Sequence, residues 1–506
     1  MVNKVFSCSF TGLQCRIIEV QADISNGLPS FSIVGLGDAS VQESKERVRS
    51  GIKNSGAKFP PTKKTINLAP AQVRKQGSLF DLPIAAGILL ADKQIYGEKI
   101  QNSVIIGELS LTGKVKRISG ALPITQHAKE KGFSRIFLPK ENALEASFIE
   151  GIDIYPVDSL WEFIGFCKGT VKISRYPSTE IKALKPVYSQ PPFFESIVGL
   201  ETAKRGLLIA AAGGHNVLLT GSPGCGKTVL CRAFQDFLPQ MNRIEMLETT
   251  KTYSIAGLLD PDSPLIMNRP FREVHHTGSM AAIIGGGGTP RPGEVSLAHN
   301  GVLFFDEIAE FPQKILEALR TPLEDKFINI SRSHYSLKFP SNFIFIATMN
   351  PCPCGYGDDK KIKCICSPTQ VKNYQRRLSG PLLDRFDIFI KVEKVPMGKI
   401  FNKNTDKQSR STQTLITQSQ KIQNERFTYH ENINKNADMS LSEIKKHCVL
   451  SAGAQKLLNQ ASKTLKLSNR GYLKTLKISR TIADLDGDKD IQLHHLAEAI
   501  QFRRQN

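Results

Sequence analysis

No stretch of this chain approaches the roughly 18 consecutive apolar residues of a membrane-spanning helix, so no membrane partner is expected. The segment Met1-Val2-Asn3-Lys4-Val5-Phe6-Ser7 lacks a long apolar core and a cleavage pattern, and no secretory signal is read there. Ten cysteines in 506 residues are too sparse for a disulfide scaffold. Acidic residues are also short: 47 Asp and Glu stand against 67 Lys and Arg, a formal charge of +20. A balance this basic suits a polyanion, nucleic acid first, although a basic surface also serves solubility alone. No internal repeat is visible. With 40% hydrophobic and 23% charged residues, the composition is that of a globular protein of about three domains.

The chain does have a phosphate-binding loop. Gly221-Ser222-Pro223-Gly224-Cys225-Gly226-Lys227-Thr228 fits G-x-x-x-x-G-K-[ST] without a mismatch. The apolar run Asn216-Val217-Leu218-Leu219-Thr220 before it reads as a buried strand. Val229-Leu230-Cys231-Arg232-Ala233-Phe234 after it reads as a helix. Backbone N–H groups of such a loop close around phosphate oxygens, and the helix N-terminus adds its positive end. Lys227 is expected on the β- and γ-phosphates of ATP, and the Thr228 hydroxyl on Mg²⁺. An enzyme of this kind belongs in the reducing cytoplasm, where thiols stay free or bind metal.

Three further segments complete an ATPase pattern. Gly301-Val302-Leu303-Phe304-Phe305-Asp306-Glu307 is an apolar strand ending in two acids. Asp306 is expected to hold Mg²⁺ and Glu307 to polarise the attacking water. Asn342-Phe343-Ile344-Phe345-Ile346-Ala347-Thr348-Met349-Asn350 is another buried strand, whose Asn350 would orient that water. In Ser379-Gly380-Pro381-Leu382-Leu383-Asp384-Arg385-Phe386-Asp387, Arg385 is a candidate arginine finger acting on a neighbouring subunit's ATP, or else a surface ion pair. Arg470, in Leu467-Ser468-Asn469-Arg470-Gly471-Tyr472, would be the matching arginine of a helical lid.

Composition divides the chain into an α+β domain at 1–168, a Lys, Ser and Pro-rich linker at 169–192, and a nucleotide-binding domain at 193–393. A polar connecting segment at 394–437 and a helical bundle at 438–506 follow. The connecting segment reads as a flexible stretch or a solvated helix.

The four ATPase motifs in this order, with a helical lid, resemble an AAA+ ATPase. The glycine-proline run Ile283-Ile284-Gly285-Gly286-Gly287-Gly288-Thr289-Pro290-Arg291-Pro292-Gly293 cannot be core helix or strand. It resembles the helix-2 insert of the magnesium-chelatase and MCM clade. Lys326 to Ser331 and Ser336 to Phe339 flank Arg332-Ser333-His334-Tyr335 and read as that clade's hairpin before the first sensor. Closer still, Arg291 to Leu303, Ile33-Val34-Gly35-Leu36, Asn67-Leu68-Ala69-Pro70-Ala71, Phe80-Asp81-Leu82-Pro83-Ile84-Ala85 and Arg480-Thr481-Ile482-Ala483-Asp484-Leu485 resemble the Mg-chelatase-like ComM/YifB family over nearly the whole chain.

That resemblance implies an α/β fold: an AAA+ P-loop domain with a helical lid, preceded by a Lon-protease-like α+β domain. It implies a hexameric ring fuelled by ATP and Mg²⁺ that acts on DNA, by branch migration in recombination and natural transformation. A magnesium-chelatase-type ATPase subunit or a DNA-independent protein remodeller are the alternatives. The chain has no D-x-S-x-S metal-site pattern, which weighs against the first of these. Gly107 to Val115 looks like a Lon protease segment. Yet no serine stands at the nucleophile's place near Asp81, and an apolar residue replaces the lysine in Ile118-Ser119-Gly120-Ala121-Leu122-Pro123. Without that dyad no protease activity is expected.

Cys352-Pro353-Cys354 and Cys364-Ile365-Cys366 group four thiols that suit a structural Zn²⁺, or else make a reduced cysteine-rich loop. Arg332, His334, Tyr335 and Lys338 are candidates for DNA contact, as cations for phosphate and an aromatic for stacking, or else form a solvated hairpin tip. His275-His276 reads as polar residues of the insert rather than a metal pair.

Overall fold

A computed structural model describes residues 3–503 apart from 74, 76, 182–193, 195, 196, 288, 289, 333, 334, 360, 396–407, 429, 431, 432 and 466. The front domain is built on a mixed seven-stranded sheet. Its strand order is Ser30–Val34, Lys63–Ala69, Gln14–Ser25, Asn3–Thr11, Ser103–Ile105, Arg135–Pro139, Asp153–Val157. Thr11 faces Gln14 across the first hairpin, leaving Gly12 and Leu13 as the turn, with Gly12 at φ +59°. Ile173 and Ile181 belong to this domain's core, so ordered packing continues past residue 169.

The nucleotide-binding domain is a five-stranded, all-parallel sheet. Its order is Phe271–Val274, Val302–Phe305, Ile344–Met349, Val217–Thr220, Ile388–Lys391. The strands Val302–Phe305 and Ile344–Met349 are buried at every position. A parallel sheet covered on both faces needs such continuous apolar runs rather than alternation. Phe305 is stacked on Phe311 at 4.3 Å and meets Phe345 edge-on at 5.4 Å. Burying rings of this size contributes about 1.5–3 kcal/mol each.

The glycine-rich insert forms a small ladder, Gly285–Gly286 against Arg291–Pro292. Its backbone runs so close to the neighbouring hairpin that a Cβ on Gly285 would fall 2.8 Å from Ile330 Cδ1.

The C-terminal part is helical: Leu441–His447, Ala452–Thr464, Asn469–Asp486 and Leu493–Gln501. The polar segment before it contains a docked helix, Gln408–Arg426. A few of its polar residues face inward. Ser419 and Gln423 are buried, Gln423 Nε2 donates to Ala212 O at 3.0 Å, and Arg426 pairs with Asp484 at 2.6 Å. Ile416 is also buried in the nucleotide domain's core, so one apolar anchor and a set of specific hydrogen bonds hold a helix that composition alone leaves flexible or solvated.

Candidate nucleotide site and its surroundings

The phosphate loop leaves the carboxyl end of the strand Val217–Thr220. A Cβ on Gly221 would lie 2.4 Å from Val392 O, so only glycine fits there. Gly224 and Gly226 take φ of +72° and +96°, values that glycine adopts without cost. Lys227 is buried. Its ammonium donates to Gly221 O at 2.6 Å, Ser222 O at 3.0 Å and Asn350 Oδ1 at 3.1 Å. Thr228 Oγ1 donates to Asp306 Oδ2 at 3.0 Å.

Asp306 and Glu307 follow the strand Val302–Phe305, with Ile344–Met349 lying between it and the phosphate-loop strand. Thr348 Oγ1 donates to Asp306 Oδ1 and accepts the Glu307 N–H at 2.9 Å. One buried hydroxyl thus sets both acids. Glu307 sits in the left-handed region at φ +51°, where a non-glycine residue is uncommon. Asn350 Nδ2 donates to Glu307 Oε1 at 3.3 Å, while the same side chain's oxygen accepts from Lys227. Asn350 therefore joins the phosphate-loop lysine to the second acid. Lys227, Thr228, Asp306, Glu307 and Asn350 all meet at the carboxyl edge of three neighbouring strands. Hard oxygen donors at Thr228 and Asp306 fit Mg²⁺. Thr348 was not among the residues singled out from the sequence. Its signal is a lone polar residue inside an otherwise apolar buried strand.

Arg385 and Arg470 lie elsewhere. Arg385 O accepts from Asn216 Nδ2 at 3.1 Å, and Asn216 precedes the strand that ends at the phosphate loop. The strand separates this edge from Gly221 by roughly 13 Å. Arg385 donates to Pro381 O at 2.6 Å and to Glu324 Oε2 at 2.5 Å, and Arg470 donates to Glu324 Oε1. Both line an open cavity of about 800 Å³ together with Asp384, Lys474 and Lys477. Asp387 lines the same cavity and is largely buried. Burial alone would raise its carboxyl, but Lys474 at 2.8 Å and His215 at 3.7 Å outweigh that and hold it far below the usual range. Asp387 Oδ2 also accepts the Asn216 N–H at 2.9 Å.

The four thiols do converge. The sulfurs of Cys352, Cys354, Cys364 and Cys366 all lie within 4.8 Å of one another. Backbone N–H groups of Tyr356 and Ile365 pull the Cys354 thiol down to about 6. The Cys352 thiol is pushed up by burial and by its neighbours Cys354 and Cys364; at Cys364 and Cys366 a backbone N–H pulls down, but burial and the neighbouring thiols push up further. Four sulfurs this close suit a soft metal, which binds them as thiolates. His275 and His276 stack on each other at 4.4 Å and belong to neither ion-sized group found among the described residues.

The hairpin pairs Phe327–Arg332 with Tyr335–Pro340, and Arg332 faces Tyr335 at its end. Lys338 extends its ammonium over the Phe327 ring, 3.6 Å from the centroid. His334 lies outside the described residues.

Comparison with known proteins covers the whole chain. The family model described as "Magnesium chelatase, subunit ChlI" matches residues 193–400. "Subunit ChlI of Mg-chelatase" matches 20–142, and "Magnesium chelatase, subunit ChlI C-terminal" matches 406–503. The competence protein ComM of Haemophilus influenzae is 39% identical over 505 residues, 99% of this chain and 97% of that one. YifB of Escherichia coli is 38% identical over 497 residues, 97% of this chain and 95% of its own. The 67 kDa magnesium-chelatase subunit of Heliobacterium mobile is 27% identical over 184 residues, 31% of this chain and 28% of that one.

Proposed function

The chain belongs to the Mg-chelatase-like ComM/YifB family of AAA+ ATPases, and from that premise we propose that it is an ATP-driven DNA motor working as a ring of identical copies. The observation that carries this reading is Asn350, which ties Lys227 to Glu307 beside the Thr228–Asp306 pair. Lys227 neutralises phosphate charge. Glu307 takes the proton of the attacking water, and Asn350 orients that water. Thr228 and Asp306 would hold Mg²⁺, which would supply positive charge against the charge that builds on the phosphate oxygens.

The stabilising arginines then come from another copy. Arg385 and Arg470 share one face that the strand holds away from their own Lys227, as a trans role requires. Each active site forms between subunits, with a hexamer as the expected ring. The front domain is read as a Lon-like fold without its dyad, and the C-terminal helices, which carry Arg470, as the helical lid. A serine hydrolase probe that labels the front domain would contradict the first of these.

DNA is the partner supported by the charge of +20, by the Arg332–Tyr335 hairpin, and by the name of the competence relative. Branch migration during recombination is the proposed task. The four thiols are read as a structural zinc site.

The test is ATP hydrolysis and strand displacement with single-stranded, duplex and branched DNA. DNA-stimulated turnover and salt-sensitive binding are expected. Hydrolysis indifferent to every DNA at low salt would remove the DNA reading and favour protein remodelling.

A further inference from the structure

The cysteine loop touches the phosphate loop. We propose that one zinc-class ion held by Cys352, Cys354, Cys364 and Cys366 braces the phosphate loop, so that nucleotide affinity depends on the metal. The proposal rests on the nucleotide and zinc readings above and adds a mechanical link between them.

Three observations make the link. First, Gly355, between Cys354 and Tyr356, takes φ +83°, and a Cβ there would fall 2.5 Å from Pro223 Cγ and 2.6 Å from its Cδ. The cysteine turn therefore presses directly on the crown of the phosphate loop. Second, Asn350, whose oxygen accepts from Lys227 at 3.1 Å, is only two residues ahead of the buried Cys352. Third, the far side of the segment is tied down. Asp358 pairs with Lys391 at 2.8 Å and Asp359 with Lys394 at 2.6 Å. Between these two lysines lies Val392, whose carbonyl closes on Gly221.

Residues 351–359 and 361–366 form neither helix nor strand. Ordering so irregular a segment costs roughly 1–2 kcal/mol of backbone entropy per residue. The exposed Asp358–Lys391 pair recovers little of that, and Asp359, which pairs with Lys394 and accepts from Lys361 N and Ile362 N, fixes only its own turn. Four cysteine sulfurs within 4.8 Å of one another offer the missing constraint once a soft divalent ion joins them. With the ion bound, Gly355 stays against Pro223 and Asn350 stays on Lys227. Without it, four close sulfurs lose their common partner and both contacts loosen.

The experiment uses the full chain, zinc itself as the metal probe, and titration with a fluorescent ATP analogue at constant Mg²⁺. The purified protein is expected to carry one zinc per chain by elemental analysis. Stripping with a zinc-selective chelator should weaken nucleotide binding at least about tenfold, and added zinc should restore it. Gly355→Ala should keep its zinc yet show similar weakening, because the new Cβ pushes Pro223 away. If the stripped chain loses its far-UV circular dichroism, Gly355→Ala becomes the deciding variant. Wild-type affinity in Gly355→Ala, or in a folded stripped chain, overturns the brace and leaves the zinc reading standing. A chain that neither carries nor takes up zinc overturns both. If the zinc-loaded wild type fails to bind nucleotide, the ATPase reading falls and the brace with it.

Discussion

Arg385 and Arg470 meet on opposite oxygens of one carboxylate, that of Glu324, although 85 residues separate them in sequence. Arg385 comes from the turn before the last sheet strand and Arg470 from the start of the longest C-terminal helix. The arrangement is poor evidence for stability. Glu324 and Arg470 are half exposed, and an exposed pair contributes about 0–1 kcal/mol. It fits the proposal that both arginines serve another copy.

Arg385→Ala should leave nucleotide binding intact and lower turnover on the order of 10³-fold. Lys227→Ala should abolish turnover by removing the other half of the site. Mixing the two variants should restore measurable hydrolysis, because some interfaces then pair an intact Lys227 with an intact Arg385. Normal turnover in Arg385→Ala, or no recovery on mixing, would remove the trans assignment.

Glu307→Gln should bind ATP as the wild type does and hydrolyse it about 10²–10⁴-fold more slowly. The side chain keeps its length and still accepts from Asn350 Nδ2, so binding and chemistry should separate. Single-turnover hydrolysis alongside an ATP titration measures both. Near-normal turnover would transfer the base to another group.

Gly221→Ala should weaken nucleotide binding by at least about tenfold with little change in helix content. Its Cβ meets the Val392 carbonyl, a backbone atom that cannot rotate away. An ATP titration with unaltered affinity would show that the loop shifts more freely than this packing implies.

Asp387→Asn should destabilise the protein by about 3–5 kcal/mol near neutral pH, since Lys474 is left buried without its partner. The carboxyl is held below its unfolded value. Its contribution is therefore complete above about pH 4 and declines as pH falls from there toward the lowered folded value. Denaturant titrations of both proteins should differ by a constant amount from pH 5 to 7 and converge in stronger acid. A gap that widened on acidification would contradict the assigned charge state.

Much of the ATP site is legible in the chain because each piece is local. The phosphate loop is eight consecutive residues, and Asp306-Glu307 and Asn350 each end an apolar run. What stays hidden depends on partners far apart in sequence. Glu324 reads as one more surface acid until two arginines arrive from 61 and 146 residues away. Thr348 reads as a strand residue until its hydroxyl is seen between two acids. The contact of Gly355 with Pro223 spans more than a hundred residues. The helix Gln408–Arg426 was obscured differently: Ile416 is its one buried apolar residue among those described, and the buried Ser419 and Gln423 are polar, so hydrophobic periodicity carries little trace of its docking.

The helix Arg243–Ala256 packs on the front domain. Gly120 donates to Ser254 O at 3.1 Å, Arg117 to Leu259 O at 2.7 Å, and Arg243 pairs with Glu150 at 2.6 Å. Leu265 lies within the front domain's own apolar cluster, and the Gly12 turn rests against Leu337 and Phe339 of the hairpin. With part of one domain's interior supplied by the other, the two are thermodynamically one cooperative unit. Heat should melt them in a single calorimetric transition, and a protease cut between residues 182 and 193 should leave the two fragments bound to each other.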